Sequence, residues 1–380
     1  MLAIKFLGLG LNMFSDVYNS KKVLVTGNTG FKGAWLTEWL INLGASVKGF
    51  SRGIPTTPSL FEILDLNNRI SHTNGDVQDL NALSNVISDF KPDFIFHLAA
   101  QAIVSTSYKD PIDTFLTNTI GTMNVLEAIR KINHDCTVVL ITSDKAYNNV
   151  EWEWGYKETD SLGGKDVYSG SKGAAELVIK AYFSSFIGQN SNIKLGIARA
   201  GNVIGGGDWA KDRIVVDCIK SWSKKNKVII RSPNATRPWQ HVLEPLSGYL
   251  CLGESLITGN KLNGEAFNFG PQSEQNRTVL ELINDLSSGW GFDQKDDAFT
   301  VESDNSFNEA SLLKLNIDKA LFHLKWEPNL NYQETINFVS DWYVDFYQNK
   351  KDMQKQTFKQ INDYQELAIE RNRVWSSKVR

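Results

Sequence analysis

The sequence has few of the features that mark secreted, membrane-spanning or nucleic-acid-binding proteins. Its 380 residues include only three cysteines, Cys136, Cys218 and Cys251, whose spacing fits neither a disulfide framework nor a metal site. No apolar run reaches the roughly 18 residues that a membrane-spanning helix needs. The net charge of −3 gives no electrostatic reason to expect a nucleic-acid partner. These absences favour a globular protein of the reducing cytoplasm.

The opening of the chain is only faintly like a signal peptide. The opening MLAIKFLGLGLNMF has a short apolar patch but no small-residue cleavage site of the kind that ends a signal peptide. We therefore predict that residues 1–20 form an N-terminal extension, disordered or loosely packed, with Met13 as an alternative start. Residues 349–380 are polar and helix-prone, and we predict a C-terminal helix or tail there.

A glycine-rich turn follows the first β-branched run and precedes a helical stretch. This order of strand, glycine turn and helix is typical of dinucleotide-binding sites. Gly27 permits the tight turn, Gly30 lets the backbone approach a pyrophosphate, and Gly33 allows helix and strand to pack closely. The helix N-terminus then offers N–H groups to the phosphates. We expect cofactor contacts from Gly27, Thr29, Gly30, Phe31, Lys32 and Gly33.

The rest of the cofactor site is expected at the ends of the next strands. The second strand ends at Ser51-Arg52 without the acidic residue that usually binds the ribose of NAD, which leaves NAD and NADP both open. A fourth strand, predicted at residues 94–100, ends in small side chains that suit a passing cofactor, and its His97 is expected to be a core residue. The candidate contacts beyond the glycine turn are Ser51, Arg52, Asp76, Val77, Leu98, Ala99 and Ala100.

The candidate catalytic residues follow a buried strand and begin a helix. The apolar run at residues 138–142 leads into Ser143-Asp144-Lys145, and ligands of open α/β sheets bind beyond such strand ends. Tyr168 and Lys172 share one helix face, where the ammonium favours the phenolate and allows it to take a proton from a substrate hydroxyl. A lone Tyr-x-x-x-Lys ordinarily marks a surface helix. Its position behind the glycine turn favours catalysis here.

The alternation of strands and helices ends near residue 200. We therefore predict an α/β fold with a doubly wound Rossmann-type parallel sheet in residues 21–200 and a smaller substrate-binding lobe in residues 201–348, interleaved with the first part. Arg231 and Arg237 occur in this lobe, and arginine is a natural partner for phosphate. A surface ion pair is an equally good interpretation of Arg237. Trp152 and Trp154, in the long loop before Tyr168, either cover a ligand or pin the loop.

Several segments together resemble the extended short-chain dehydrogenase/reductases. They are VTGNTGFKGAWL, FHLAAQ, ITSDKAYNN, YSGSKGAAELV, ARAGNVIGGGDWAKDR and RSPNATRPWQHV, and the resemblance covers residues 21 to about 345. Within that family the chain is most similar to nucleotide-sugar 4,6-dehydratases that act on CDP-glucose. The Ser-Asp-Lys triplet is the most specific element, together with NATRPWQHV, because dTDP-glucose relatives typically carry Thr-Asp-Glu at the triplet.

The resemblance implies an activity and a role for each candidate catalytic residue. CDP-glucose would lose water to give CDP-4-keto-6-deoxyglucose, with NAD retained through the cycle. Tyr168 would take the proton of the carbon 4 hydroxyl, Lys145 the carbon 5 proton, and Asp144 would protonate the departing carbon 6 hydroxyl. Ser143 would hold the carbon 4 oxygen. Lys172 would hold the nicotinamide ribose and lower the pKa of Tyr168.

The resemblance also implies a substrate site, an assembly and a biological setting. The subfamily shares the missing acidic residue after the second strand, so NAD remains the expected cofactor. A homodimer or homotetramer is expected, as is a place in deoxysugar synthesis for surface polysaccharide. A 4-epimerase of the same family and a cofactor-sensing binding protein are the rival interpretations. The expected substrate contacts are Gln101, Ser143, Asn202, Arg231, Arg237 and Asn268.

Overall fold

The computed structural model describes residues 11–189, 192–259, 261–272, 275–302 and 313–378. In these ranges the strands are β1 (Leu11–Met13), β2 (Lys22–Thr26), β3 (Ser46–Ser51), β4 (Ser71–Asn74), β5 (Phe94–His97), β6 (Cys136–Ile141), β7 (Ile193–Ala200), β8 (Val203–Ile204), β9 (Val228–Ile230), β10 (Thr236–Pro238), β11 (Gln240–His241), β12 (Ala266–Phe269), β13 (Asn276–Thr278), β14 (Phe299–Val301) and β15 (Ser376–Lys378). The α-helices are α1 (Phe31–Asn42), α2 (Leu60–Ile63), α3 (Leu66–Arg69), α4 (Leu80–Phe90), α5 (Val104–Lys109), α6 (Pro111–Phe115), α7 (Gly121–Ile129), α8 (Val167–Ser185), α9 (Ile214–Trp222), α10 (Leu243–Thr258), α11 (Val279–Trp290), α12 (Asp318–Leu324), α13 (Tyr332–Tyr347) and α14 (Met353–Glu370).

A seven-stranded parallel sheet in the order β12-β7-β6-β5-β2-β3-β4 forms the centre of the fold. The order reverses beside β2, which lies between β3 and β5 and so creates the switch point where such sheets bind ligands. Side chains of β2 alternate between two cores: Val23 and Val25 join one, and Leu24 joins the other. The predicted doubly wound α/β fold is therefore confirmed.

The chain after β7 adds one strand to this sheet and several small elements around it. β12 pairs in parallel with β7 at the sheet edge. Three two-stranded pairings, β8 with β11, β9 with β14 and β10 with β13, lie outside the central sheet. Because β12 belongs to the main sheet, residues 201–348 do not form a separate sequence-continuous body. Where the substrate-binding lobe begins stays a prediction.

The two chain ends pack together on the core, which corrects the expectation of a loose extension for residues 11–20. β1 pairs antiparallel with β15, and the Phe14 ring stacks on the Trp375 ring at a centroid distance of 5.0 Å. Phe14 and Tyr18 are buried because they fill a cluster of aromatic side chains. Residues 1–10 lie outside the described residues. The predicted C-terminal helix is α14, which contacts α1 through Tyr364 and Trp39.

One local prediction also needs correction. The strand expected at residues 94–100 ends at His97, and residues 98–100 form a loop beside the glycine turn. Farther along the chain, α6 and α7 are joined by a π-helical turn at Leu116–Ile120. Among the helices of the described ranges, none combines the length and the apolar composition needed to cross a membrane.

Candidate active site

A cavity of about 380 Å³ lies at the carboxyl ends of β2, β3, β4, β5, β6 and β7. Its walls are the segments that follow these strands, together with the first turns of α1 and α8. The sheet topology therefore brings together groups that are far apart in the chain. The lining includes each residue predicted to contact the cofactor: Gly27, Thr29, Gly30, Phe31, Lys32, Gly33, Ser51, Arg52, Asp76, Val77, Leu98, Ala99, Ala100, Tyr168 and Lys172.

The glycine turn is sterically required at two positions. Gly27 has a φ of +75°, and a Cβ on it would lie 2.7 Å from the backbone nitrogen of Ala99. A Cβ on Gly33 would lie 2.0 Å from the carbonyl oxygen of Gly27. Gly30 precedes α1 without a side-chain cap from any described residue. The first-turn N–H groups of α1 can therefore bind a pyrophosphate.

Two carboxylates engage the arginine at the end of the second sheet strand. Arg52 forms ion pairs with Asp76 at 3.0 Å and with Asp113 at 3.2 Å, and its hydrogen bond holds the pKa of Asp113 below the ordinary value. Ser51 donates a hydrogen bond of 2.7 Å to the side chain of Asn28. A ribose 2′-phosphate here would meet two negative charges beside a guanidinium that is already paired. The geometry therefore disfavours the NADP alternative.

The five candidate catalytic residues converge at the end of β6 and the start of α8. The Ser143 hydroxyl donates to Asp144 Oδ1 at 2.9 Å and accepts from the Lys145 backbone N–H at 3.2 Å. Ser143, Lys145, Tyr168 and Lys172 line the cavity. Asp144 lies immediately behind the wall, 6% exposed, with its Oδ2 beside Gly201.

The electrostatics of the tyrosine–lysine pair differ from the expectation. Burial raises the pKa of Tyr168 to about 12, and the Ser143 hydroxyl and the charge of Arg213 oppose that rise. Burial lowers the pKa of Lys172 to about 8, against the raising effect of Glu176. The expected lowering of the Tyr168 pKa by Lys172 is thus corrected for this state of the protein, since desolvation outweighs the charges nearby.

Two cations near the catalytic residues differ from what the sequence predicted. Arg213 was not predicted as a site residue, and Lys32 was predicted only to contact the cofactor. Arg213 lines the cavity, pairs with Asp208 at 3.3 Å and lowers the pKa of Tyr168. Lys32, expected only as a cofactor contact, extends to the Tyr249 hydroxyl at 3.5 Å and interacts electrostatically with Asp144. Burial lowers the pKa of Lys32 to about 8. The charged residues at the end of the segment GGGDWAKDR could have indicated Arg213 as a site residue.

The predicted substrate contacts divide into two groups. Gln101, Ser143 and Asn202 line the cavity, whereas Arg231, Arg237 and Asn268 are not among its lining residues. Asn268 is fully buried: its amide donates to the carbonyls of Tyr156 and Asn316 and accepts from the Tyr147 hydroxyl. Since these bonds occupy the Asn268 side chain, its direct contact with substrate is corrected to a structural role.

The two arginines predicted for phosphate lie elsewhere in the second half of the chain. Arg231 follows β9 and is exposed. Arg237 lies in β10 opposite Arg277 of β13, and its Nη1 donates to the carbonyl of Thr236 at 2.8 Å. Their predicted contact with a diphosphate stays a prediction.

The structure also shows the surroundings of His97, Trp152 and Trp154. His97 is a buried core residue, as predicted, bonded to Thr26 at 2.7 Å and to Thr122 at 3.2 Å. Trp152 packs against the ring of Tyr156, with centroids 5.3 Å apart, whereas Trp154 is 69% exposed. In the part of the chain that the structure describes, no cluster of three or more His, Cys, Asp or Glu side chains could hold a metal ion.

Comparisons with known proteins agree with this geometry. The sequence model of the family described as GDP-mannose 4,6 dehydratase matches residues 24–338. A CDP-glucose 4,6-dehydratase of Salmonella typhimurium is 44% identical over 353 residues, which cover 92% of this chain and 97% of that protein. A CDP-paratose 2-epimerase of Salmonella typhi is 26% identical over 348 residues, covering 84% and 98%.

Solved structures with the same fold include both dehydratases and epimerases. A dTDP-glucose 4,6-dehydratase of Streptomyces venezuelae, determined with NAD bound, matches with a TM-score of 0.72 and 20% identity over 87% of this chain and all of that chain. UDP-glucose 4-epimerase of Thermotoga maritima matches with a TM-score of 0.72 and 22% identity, covering 86% and 99%. At these identities the matches establish the fold alone. From the match to the family model and the 44% identity, the chain belongs to the GDP-mannose 4,6-dehydratase family of extended short-chain dehydrogenase/reductases.

Proposed function

We propose that this protein is an NAD-dependent CDP-glucose 4,6-dehydratase, which converts CDP-glucose into CDP-4-keto-6-deoxyglucose and water. The proposal rests on two groups of catalytic side chains that meet at one end of the cavity. Tyr168 and Lys172 are the pair that serves the oxidation of the carbon 4 hydroxyl. Asp144 and Lys145 add the acid and the base that removal of water requires. The 44% identity to a CDP-glucose 4,6-dehydratase supports CDP as the nucleotide.

The cavity fits NAD at three places along its length. The first-turn N–H groups of α1 would bind the pyrophosphate, Asp76 would accept a hydrogen bond from the adenine amino group, and Lys172 would hold the nicotinamide ribose. The Arg52 ion pairs with Asp76 and Asp113 oppose the extra phosphate of NADP. When bound, NAD supplies a hydride acceptor for carbon 4 and a hydride donor for carbon 6.

The protein side chains would move three protons. Tyr168 accepts the proton of the carbon 4 hydroxyl, and Ser143 lines the same cavity. Lys145 removes the carbon 5 proton, which the ketone at carbon 4 acidifies. Asp144 protonates the carbon 6 hydroxyl after a side-chain rotation from its place behind the cavity wall. A 4-epimerase needs only the first of these transfers, so Asp144 and Lys145 favour the dehydratase.

Cations around the open end of the site would bind the negatively charged diphosphate of the substrate. Arg213, Gln101 and Asn202 line the cavity and are proposed to contact the sugar or the first phosphate. Arg231 and Arg237 remain proposed for the more distant part of the diphosphate. Arginine suits this task because its guanidinium can bind two phosphate oxygens at once.

We propose that the enzyme is a cytoplasmic homodimer or homotetramer. Large apolar side chains are exposed on α5, α6 and α8 and at the residue after α8, and exposed apolar surface of this kind supports self-association. The three cysteines are free and buried, as a reducing compartment allows. A role in deoxysugar synthesis for surface polysaccharide follows from the proposed product. The exposed apolar residues are Tyr108, Ile112, Leu177 and Phe186.

The function is tested by incubating the NAD-loaded enzyme separately with CDP-glucose, dTDP-glucose, UDP-glucose and GDP-glucose. Mass spectrometry and the alkaline absorbance of 4-keto-6-deoxy sugars would detect dehydration, and chromatography would detect epimers. We expect a 4-keto-6-deoxy product from CDP-glucose at the highest kcat/KM. A 4-epimer without loss of water, or preference for another nucleotide, would contradict the proposal.

A further inference from the structure

We propose that Asn28 and His72 are positioning residues that hold the Ser51 hydroxyl as a hydrogen-bond acceptor, and that this arrangement selects NAD over NADP. The inference rests on the NAD dependence of the proposed function. It names the side chains that replace the acidic residue absent after the second sheet strand. Ser51 ends β3 and lines the cavity, whereas Asn28 and His72 are not among the lining residues. They would therefore act on the cofactor only through Ser51.

The hydroxyl proton of Ser51 is already committed within the protein. Ser51 donates it to Asn28 Oδ1, 2.7 Å away. The backbone N–H of Thr29 donates to the same serine oxygen at 3.4 Å. A serine oxygen has one proton and two lone pairs, so one lone pair remains. Through that lone pair Ser51 can accept a hydrogen bond from a bound ligand, but it has no proton left to donate to one.

An acceptor at this position distinguishes the two nicotinamide cofactors. In common NAD sites a carboxylate after the second strand accepts a hydrogen bond from the ribose 2′-hydroxyl. A phosphate at the same position carries negative charge and acceptor oxygens, which need a donor. Ser51 would therefore bind the hydroxyl of NAD and repel the 2′-phosphate of NADP. This effect adds to that of the Arg52 ion pairs with Asp76 and Asp113.

The orientation of the Asn28 amide depends on His72. Asn28 Nδ2 lies 3.3 Å from His72 Nδ1. Because an amide nitrogen can only donate, His72 Nδ1 accepts and the ring proton lies on Nε2. Burial lowers the pKa of His72, which keeps the ring neutral near pH 7. Reversing the amide would make Ser51 accept from both Asn28 and Thr29 and would turn the serine proton toward the cavity.

Close packing holds the three side chains in place. Asn28 is fully buried, and a Cβ on Gly49 would come within 2.3 Å of its Nδ2. Gly49 lies directly opposite His72 in the pairing of β3 with β4, so the space above the glycine is filled by the amide beside the imidazole. The Phe61 ring packs on His72 with centroids 5.3 Å apart. The acceptor state of Ser51 is therefore fixed without any contact from a cofactor.

The test measures the ratio of the affinities for NAD and NADP and needs no turnover. Full-length protein is loaded with NADH, whose fluorescence reports displacement by either oxidised nucleotide. Ser51→Ala should weaken NAD binding by roughly two- to tenfold, the value of one neutral hydrogen bond. Asn28→Ala frees the Ser51 proton to bind a 2′-phosphate. NADP affinity should then rise by roughly tenfold while NAD affinity changes little.

A double-mutant cycle separates this mechanism from a structural role of Asn28. If Asn28 acts through the Ser51 hydroxyl, Asn28→Ala should have no further effect on the affinity ratio in the Ser51→Ala background. A change of equal size in both backgrounds would overturn the inference. An unchanged ratio in the single variant Asn28→Ala would overturn it too, as would equal affinity of the wild type for the two nucleotides.

A matched pair at His72 repeats the test at a half-buried position, where a folded variant is expected even if Asn28→Ala does not fold. His72→Leu removes the acceptor and allows the amide to reverse, so the NAD preference should fall as in Asn28→Ala. His72→Gln retains an acceptor oxygen and should keep the wild-type ratio. His72→Leu with an unchanged ratio, or His72→Gln that behaves as His72→Leu, would overturn the inference. Failure of the wild type to dehydrate CDP-glucose would contradict the proposed function alone.

Discussion

The guanidinium of Arg199 and the carboxylate of Glu176 form a buried, doubly hydrogen-bonded ion pair behind the catalytic residues. Arg199 Nη2 lies 2.5 Å from Glu176 Oε2, and its Nε donates to Oε1 at 2.7 Å. Thr142, the residue before Ser143, donates to Oε1 at 2.6 Å. Arg199 also bonds the hydroxyl of Tyr147 at 2.7 Å. The pair therefore connects α8, β7 and the end of β6.

Glu176→Gln should destabilise the protein and lower the pKa of Lys172. Removing one charge from a buried pair leaves the other uncompensated, so we expect a loss of about 3–5 kcal/mol in the free energy of unfolding. The pKa of Lys172 should fall further, since Glu176 raises it. Chemical denaturation measures the first effect, and the pH dependence of NAD binding the second. Asp363→Asn, at an exposed pair with Lys359, is the control and should change stability little.

Lys145→Gln should separate the oxidation step from the loss of water. Glutamine retains length and polarity but cannot take the carbon 5 proton. Reduced cofactor should accumulate with substrate bound, and deuterium from heavy water should not enter carbon 5. Stopped-flow absorbance and mass analysis of the product provide the two readouts. A variant that forms deuterated product at close to the normal rate would exclude Lys145 as the base.

Arg213→Ala and Arg237→Ala should differ in which step they impair. Arg213 lines the cavity and lowers the pKa of Tyr168, so its loss should weaken binding of CDP-glucose and also slow cofactor reduction. Arg237 lies outside the cavity lining, and its loss should weaken substrate binding alone, by about 1.5–3 kcal/mol if it binds the diphosphate. Calorimetry with CDP-glucose and with NAD tests both. Equal losses for the two ligands in Arg237→Ala would refute its assignment to the diphosphate.

Acid should destabilise the fold through buried neutral histidines, of which His97 is one. Burial lowers the pKa of His97 to about 3, below its ordinary value of 6.5. Above pH 6.5 both states carry neutral His97 and its titration contributes nothing. Between pH 6.5 and pH 3 the unfolded chain binds a proton that the folded protein does not, so stability falls as pH falls.

This acid dependence is measurable with one substitution. His97 should account for up to about 1.4 kcal/mol of stability per pH unit inside that window. His97→Gln keeps a polar side chain near Thr26 and Thr122 and should flatten the acid limb of the stability profile. His323→Gln, at an exposed position in α12, should not. Parallel acid limbs for the wild type and His97→Gln would contradict the buried neutral state.

The sequence alone determined the elements whose cause is local. Gly27 has a φ of +75° and Gly33 lies against the carbonyl of Gly27, so one local turn requires both glycines. The apolar run of β6 is what a strand covered on both faces requires. The positions of Ser143 at a strand end and of Tyr168 at a helix start follow from the same local patterns. Because parallel strands end at one edge of the sheet, these patterns were sufficient to predict the fold and the location of the cavity.

Only the tertiary structure decided the properties that depend on distant neighbours. Arg213 reaches Tyr168, and Lys32 reaches Tyr249, across large sequence separations that no local periodicity encodes. Asn268 was predicted to contact the substrate from its position in a motif, yet its side-chain amide forms three internal hydrogen bonds. The pKa of Tyr168 follows from burial, which is set by the assembled fold. Burial and electrostatic fields sum over all surrounding groups, so folding had to bring those groups together before the chemistry of the site was defined.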